Sequence, residues 1–290
     1  MKLGLITPVL TLNPRVHNSW EETAEFDAVV AVAEAADRLG YHHLTCSEHI
    51  AVPAGEVAAR RGSRYYDPLA TFGYLAARTT SIRFETHVLV LGYHHPLELA
   101  KRYGTLDRVC GGRLILGVGV GSLREEFDLL GVEFEGRGER ADDAIRALRA
   151  SLGQREPAYE GTHYSYKGFI VEPCAVQTRV PIWIGGRTAR SLRRAVELAD
   201  GWVPFGLSPE QIGEMVGRAR ETPAWQARDE QLEVILAAEP PLDPGGDATR
   251  TREAVARLKD AGATMLNLRF VHHSPAHFVE QAEAMLALAE

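Results

Sequence analysis

Apolar runs of strand length alternate with amphipathic stretches of helical period along all 290 residues, without a linker or a break in composition. Eight such runs are short and apolar on both faces, as expected for parallel strands that are buried on two sides. They span residues 2–7, 43–49, 82–91, 114–120, 181–186, 201–205, 232–239 and 265–271. We refer to them as predicted strands one to eight.

The stretches between the predicted strands carry helix signals. Two of them repeat apolar residues at positions i, i+3, i+4 and i+7, which predicts one buried helix face each. These residues are Phe26, Val29, Val30 and Ala33, then Leu192, Ala195, Val196 and Ala199. Helix starts are predicted where a capping side chain precedes a proline, and helix ends where a glycine precedes an apolar run. The starts are Asp67-Pro68, Ser208-Pro209 and Ser274-Pro275, and the ends are Gly40, Gly201 and Gly262.

Eight strand-and-helix units in one chain predict a single (β/α)8 TIM barrel that spans residues 1–290 as one domain. Such a barrel typically needs about 250 residues, so the length fits; an eight-stranded doubly wound open sheet is the alternative. Two segments lie outside this alternation. Residues 156–173 alternate aromatic and polar residues around Gly161, which predicts a β-hairpin inserted before strand five. Because the hairpin follows a helix, we expect it at the N-terminal face, with its tyrosines in packing roles.

The second segment, residues 51–66, follows strand two and contains Gly55, Gly62 and three arginines. Loops at this end of a barrel carry function, so we predict a mobile lid here.

Composition narrows the function classes. The chain is 45% hydrophobic and 24% charged, with a formal net charge of −7. This balance argues against a nucleic-acid partner, since duplex binding needs a dense basic face. The three cysteines are too few and too widely spaced for a disulfide framework or a CxxC motif, so structural burial is expected. Without a signal-peptide pattern or an apolar run of membrane-spanning length, we expect a soluble cytoplasmic protein without a membrane partner.

The candidate catalytic and binding residues lie at the C-terminal ends of the strands, where barrel enzymes place their active sites. Strand two ends in Ser47-Glu48-His49. A carboxylate beside an imidazole could bond a polar ring edge or move a proton, because histidine titrates near neutral pH. The structural alternative is a histidine that is hydrogen-bonded to a neighbouring loop.

Strand four ends in the sequence GVGVGS, from Gly117 to Ser122. It does not match the dinucleotide fingerprint, because Ser122 stands where the last glycine is required. Gly119 and Gly121 could still let a flat ring approach the backbone, and close packing is the alternative role.

Strand five leads through two glycines into a predicted helix whose first turn carries cations and hydroxyl groups. Free N–H groups, the positive end of the helix dipole and arginine side chains together favour a phosphate. The candidate residues are Gly185, Gly186, Arg187, Thr188 and Arg190. A solvated helix start is the alternative, and Arg269 after strand eight is a second candidate for the phosphate.

Several histidines occur as neighbours, which raises the question of a metal site. Adjacent residues of a strand point to opposite faces, so each pair offers only one inward ligand. Strand one also lacks the HxH pattern common in metal-dependent barrel hydrolases. The sequence therefore predicts no metal.

Three stretches together resemble the luciferase-like flavin and deazaflavin oxidoreductases, in particular a subgroup of probable coenzyme F420-dependent enzymes. They are LGYHHLTCSEHI, FETHVLVLGYHHPLELAKRYGTLDRVCGGRLILGVGVGSLREEFDLLGVEFEGRGER and PIWIGGRTARSLRRAVELADGWVPF. The similarity covers most of the chain through Phe205, whereas the C-terminal quarter matches mainly through its alternation of strands and helices.

The resemblance implies a cofactor ring over the strand ends, near His49 and backed by a non-prolyl cis peptide within Thr86-His87-Val88. It also places the cofactor phosphate on the same residues, 185–190, that the helix-start argument selects. The chain departs from the subgroup at three positions. Ser122 replaces a usual tryptophan, Glu48 replaces a common aspartate, and THV replaces a TGV that contains glycine. The pocket is therefore expected to be wider or more polar.

From this resemblance we expect an oxidoreductase that transfers a hydride between F420 and an organic small-molecule substrate. His49 would orient the ring or shuttle a proton, and Glu48 would set its tautomer. The alternatives are an FMN-dependent monooxygenase fed by a separate reductase and a noncatalytic flavin-binding protein. The resemblance further implies a homodimer, while substrate identity and the direction of hydride transfer lie beyond the sequence.

Overall fold

The computed structural model describes residues 1–289. The strands are β1 (Lys2–Leu5), β2 (His43–Cys46), β3 (Arg83–Thr86), β4 (Leu89–Val90), β5 (Leu114–Gly119), β6 (Tyr159–Glu160), β7 (Ser165–Tyr166), β8 (Ile182–Gly185), β9 (Gly201–Val203), β10 (Glu233–Ala237) and β11 (Met265–Leu268). The α-helices are α1 (Phe26–Arg38), α2 (Glu56–Arg61), α3 (Pro68–Ala76), α4 (Pro96–Val109), α5 (Arg124–Leu129), α6 (Arg137–Ser151), α7 (Ala189–Leu198), α8 (Pro209–Arg220), α9 (Pro223–Gln226), α10 (Ala248–Asp260) and α11 (Pro275–Ala289). Two 3-10 helices span Ser19–Glu22 and Leu91–Tyr93.

Eight parallel strands close into a barrel in the order β1, β2, β3, β5, β8, β9, β10, β11 and back to β1. The closing pair is in continuous register from Lys2 opposite Met265 to Leu5 opposite Leu268. β4 continues the third strand after a short interruption and pairs with β5. The predicted closed barrel is confirmed, and the open doubly wound sheet is excluded because all eight strands pair on both edges, including β3 with β5 and β11 with β1.

Each barrel strand is shorter than its predicted run by one or more residues, mostly at the C-terminal end. In the apolar run 43–49, for example, the residues that pair with β3 end at Cys46. The run 82–91 is split into β3 and β4 by the segment 87–88. The physical reason is that the last residues of each run leave the ladder to enter the loops above the barrel. Those loops still bury apolar side chains, so hydrophobicity alone does not reveal the turn.

The predicted helix starts are confirmed. Asp67 and Ser208 cap α3 and α8 with their side chains, and the Ser274 hydroxyl oxygen accepts from the amide of His277 at the start of α11. Of the predicted glycine ends, Gly40 and Gly262 have the left-handed φ of 78° and 100° that this role requires.

The predicted helix end at Gly201 was wrong. Gly201 lies in β9, where an added Cβ would stand 2.5 Å from the indole of Trp183. Close packing inside the barrel therefore requires a glycine at this position.

The interior of the barrel combines an apolar layer with a buried polar cluster. The apolar layer consists of Ile115, Trp183, Val203, Ile235 and Met265. Beside it, the fully buried Glu85 accepts hydrogen bonds from Asn267 Nδ2 at 3.0 Å and from His43 Nε2 at 3.1 Å. A buried carboxylate costs free energy unless such partners compensate it, so these residues fix one another inside the barrel.

The inserted hairpin is present as β6 and β7, but its position differs from the prediction. It packs along α6, where Tyr159 donates to Asp143 and the Tyr166 hydroxyl lies 2.6 Å from that of Ser151. Tyr164 reaches the ring of His95, the residue before α4, at the C-terminal end of the barrel. The hairpin therefore lies on the outer flank, because the polar side of α6 offers partners for its tyrosines.

Segment 51–66 is folded against the loop that follows β1. It contains α2, and the backbone of Tyr65 forms an isolated bridge with Thr11. Arg64 donates to the carbonyl oxygens of Glu21 and Glu22 at 2.7 and 2.6 Å. Among residues 1–289, the helices are too short or too polar to cross a membrane.

Candidate active site at the C-terminal end of the barrel

A cavity of about 430 Å³ opens at the C-terminal ends of the strands. This volume lies within the range of small-molecule and cofactor sites, about 300–1,000 Å³. The predicted site residues that line it are Glu48, His49, His87, Val88, Gly119, Gly121, Ser122, Gly185 and Gly186. The loops after β1, β2, β3, β5, β8, β9, β10 and β11 all contribute to its wall.

His49 is held at the cavity wall by a carboxylate that comes from a distant part of the chain. Its Nδ1 donates to Oε2 of Glu126 in α5 at 2.6 Å. The other oxygen of Glu126 accepts from the amides of Ile50 and Ala51, and Tyr93 donates its hydroxyl to Oε2 at 2.8 Å. Burial alone would raise the pKa of Glu126, but the hydrogen bonds from His49 and Tyr93 keep it below its usual value.

The sequence-based role for Glu48 was wrong. Its Oε1 accepts from Nε2 of His94 at 2.7 Å, and its Oε2 accepts from the amide of Val90 at 2.8 Å. Both oxygens are therefore occupied by partners other than His49. Glu48 fixes the segment after β4, and Glu126 orients the imidazole of His49.

The floor of the cavity is formed by His87 and Val88, which are joined by a non-prolyl cis peptide bond. The side chain of Val88 fills the space above two neighbouring strands. A Cβ added at Gly119 or at Gly185 would stand 2.7 Å from a methyl group of Val88. Thr86 lies behind this floor, fully buried, and donates its hydroxyl to the carbonyl of Gly117 at 2.7 Å.

The strand-four glycines make close packing contacts with neighbouring side chains. Gly119 makes room for Val88, and Gly121 makes room for Phe127 and Val90, each 2.7 Å from an added Cβ. These contacts fit the packing role, and since both glycines also line the cavity, the approach of a ring to them stays a prediction.

His87 is connected to the polar cluster inside the barrel. Its Nδ1 donates to Oε1 of Glu85 at 3.0 Å, and its side chain remains 23% exposed toward the cavity. Burial would raise the pKa of Glu85, but the charge of His87 and the hydrogen bonds from His43 and His87 hold it to about 2. An ionised carboxylate thus lies directly beneath the cavity floor.

The start of α7 lies at the edge of the site. Thr188 and Ser191 form a reciprocal capping box, which satisfies the amides of these two residues. Hydrogen bonds in residues 1–289 leave the amides of Ala189 and Arg190 unused. Gly186 lines the cavity, whereas Arg187, Thr188 and Arg190 are exposed outside its wall, and Arg190 borders a groove between α7 and α8.

The most consequential residue that the sequence did not single out is Glu126. It belongs to the stretch LREEFDLLG immediately after the strand-four glycines, where a barrel places functional side chains. That position was the available signal. Tyr65, Tyr93 and His17 also line the cavity, and nothing in their local sequence distinguishes them. Within residues 1–289, no group of three metal-ligating side chains converges.

A closed parallel barrel with a cavity above its strand ends is the arrangement of barrel enzymes. The sequence profile of the luciferase-like monooxygenase family matches residues 1–288. The chain therefore belongs to this family, whose members are oxidoreductases and monooxygenases.

Three similar proteins illustrate the range of relatives in this family. An uncharacterized protein of Mycobacterium tuberculosis is 29% identical over 255 residues, covering 84% of this chain and 85% of that protein. The F420-dependent glucose-6-phosphate dehydrogenase of Microbacterium testaceum is 29% identical over 226 residues, covering 74% and 65%. The crystal structure of monooxygenase RslO1 from Streptomyces bottropensis superposes with a TM-score of 0.75 at 21% identity and covers 100% of both chains. These similarities support the predicted superfamily and an F420-dependent subgroup.

The pair of Glu48 and His94 gives a testable dependence of stability on pH. Burial would lower the pKa of His94, but the hydrogen bond and charge of Glu48 raise it above the usual 6.5. A histidine with a raised folded pKa contributes stability that is complete below about 6.5 and is lost as pH rises through the folded value. We expect His94→Gln to lower the thermal midpoint more at pH 6 than at pH 9, as followed by circular dichroism.

His163, exposed on the hairpin, provides a control, since its side chain has no hydrogen-bond partner among residues 1–289 and His163→Gln should leave the thermal midpoint nearly unchanged. An equal loss of stability at both pH values in His94→Gln would contradict the charged pair.

Proposed function

We propose that the protein is an F420-dependent oxidoreductase that transfers a hydride between the deazaflavin and an organic substrate. The observation that carries this proposal is the imidazole of His49, fixed by Glu126 at the wall of a cavity whose floor is the His87–Val88 peptide. Similarity to an F420-dependent dehydrogenase supports the choice of cofactor.

The residues present fit a flat tricyclic cofactor. The floor is closed by Val88 between two glycines, which gives a ring a firm apolar surface to lie on. His49 and the partly exposed His87 supply polar groups at its edge. When bound, the deazaflavin supplies the hydride chemistry, and the protein supplies placement and polarisation.

His49 is the proposed proton-transfer group. Because Glu126 accepts from Nδ1, the neutral imidazole would carry its proton there and would present Nε2 as a base. In the protonated form the same atom is a donor. Nε2 of His49 would therefore take a proton from an alcohol or return it to a ketone.

Residues 185–190 would hold the cofactor phosphate. The free amides of Ala189 and Arg190 and the guanidinium groups of Arg187 and Arg190 are the available donors. Because these groups lie outside the cavity wall, the phosphate-bearing chain of the cofactor would leave the cavity past Gly186.

An FMN-dependent monooxygenase served by a separate reductase is the second candidate. The name of the family and the fold shared with a monooxygenase favour it. Both cofactors have a flat tricyclic ring and a phosphate, so the same floor and helix start would serve either.

The cofactor can be identified by titrating the purified protein with F420 and with FMN while cofactor fluorescence is followed. We expect saturable binding of F420 with at least tenfold higher affinity than FMN, or about 1.4 kcal/mol. Preferential binding of FMN would favour the monooxygenase, and the absence of binding by either cofactor would contradict the proposal. Tight binding without turnover across a substrate panel would indicate a noncatalytic flavin-binding protein.

Replacement of His49 by alanine tests its proposed role. We expect turnover by the F420-loaded enzyme to fall about 10²–10⁴-fold, the usual contribution of a proton-transfer group. Folding and cofactor affinity should change little, because the Ile50 and Ala51 amides still bind Glu126. His163→Ala on the outer hairpin is the matched control and should retain full activity. Retained turnover in His49→Ala would refute the role.

A further inference from the structure

Arg269 is a partly buried cation that lines the cavity without a partner. It follows β11 directly, and its side chain forms part of the cavity wall. In the part of the chain that the structure describes, Arg269 has neither a side-chain hydrogen bond nor a carboxylate oxygen within 4.0 Å. The nearby Arg64, by contrast, donates to the carbonyl oxygens of Glu21 and Glu22.

Neighbouring carboxylates do not compensate this charge. Burial lowers the pKa of Arg269, while the more distant charges of Glu239 and Glu21 raise it only in part. Glu21 is already committed, since it accepts from the amides of Val9 and Asn18 at 2.8 Å. Glu239 is exposed at the rim of the cavity. A guanidinium that is partly removed from water without a partner lowers stability, which is a common cost of a binding site.

A second arginine without a carboxylate faces the same cavity. In residues 1–289, the guanidinium of Arg61, in α2 of segment 51–66, has one side-chain partner, the hydroxyl of Ser122 at 3.4 to 3.5 Å. His17 on this side carries a raised pKa, because Glu22 accepts a hydrogen bond from it. Arg61 and Arg269 are thus the two arginines that line the cavity in residues 1–289.

The position of Arg269 separates it from the proposed phosphate site. In the barrel order, β11 is three strands away from β8, which leads into α7. If the cofactor phosphate occupies the start of α7, Arg269 remains available to the substrate. This step rests on the proposed function.

We propose that the substrate is an organic acid whose carboxylate pairs with the guanidinium of Arg269. A guanidinium can donate two parallel hydrogen bonds to a carboxylate, which gives both affinity and orientation. Pairing there turns the body of the acid toward His49 and the cavity floor. Arg269 is thereby a substrate-binding residue and selects acids over their neutral analogues.

Benzoate and benzamide provide a matched pair of probes, because they share a flat apolar body and differ in charge. Thermal unfolding of the full chain, without cofactor, is measured against increasing concentrations of each probe. We expect benzoate to raise the midpoint in a saturable manner and benzamide to leave it unchanged. Arg269→Met should weaken benzoate binding at least about tenfold, and Arg269→Lys less, because lysine keeps the charge but not the planar fork.

The unliganded variants give an independent readout. Arg269→Met removes an uncompensated cation and keeps an apolar chain of similar length, so its midpoint should rise by a few degrees. Arg64→Met removes two satisfied hydrogen bonds, so its midpoint should fall. The proposal would be overturned if the thermal midpoint of Arg269→Met fell and if Arg269→Lys and Arg269→Met both bound benzoate as tightly as the unmodified protein. Equal stabilisation by both probes, or by neither, would also overturn it.

A final measurement tests whether Arg269 binds the carboxylate of the substrate or the phosphate of the cofactor. The affinity of Arg269→Met for F420 should remain within about threefold of the unmodified protein, because the phosphate binds elsewhere. A loss of tenfold or more would assign Arg269 to the cofactor phosphate and refute the present assignment. Failure of the proposed function would appear differently, as an unmodified protein that binds neither F420 nor FMN.

Discussion

The hydrogen bond between His49 and Glu126 is the interaction on which the proposed chemistry depends. It joins the loop after β2 to helix α5, two segments that are 77 positions apart in sequence. Glu126 also accepts from the Ile50 and Ala51 amides, so one carboxylate fixes both the imidazole and the backbone that carries it. Buried networks of this kind specify a single geometry, because each unsatisfied member would cost free energy.

Carboxylate-to-imidazole pairs recur around the cavity, each with a different structural task. Glu48 and His94 secure the segment that follows β4, and Glu85 ties His87 to the polar cluster inside the barrel. Val88 then fits between Gly119 and Gly185 and sets the floor. The site therefore combines rigid groups fixed from below with segment 51–66, which contributes Arg61 and Tyr65 from above.

The sequence predicted the barrel, its eight strands and most helix starts, because these depend on local periodicity and capping. The sequence also predicted that Glu48, His49, the 87–88 segment and the strand-four glycines lie at one end of the barrel, because the C-terminal ends of the strands converge there. Pairings between loops were not predictable. Glu48 precedes His49 in sequence, yet the partner of His49 is Glu126, and only the packing of α5 decides this. The space beside Gly119 is likewise set by Val88, a contact across strands with no local signature.

The most direct test of the proposed site is an experimental crystal structure of the protein with bound F420. We expect a deazaflavin ring lying on the His87–Val88 peptide, with Nε2 of His49 at its edge and the phosphate at the start of α7. A ring bound elsewhere, or a phosphate on Arg269 with the start of α7 empty, would contradict it.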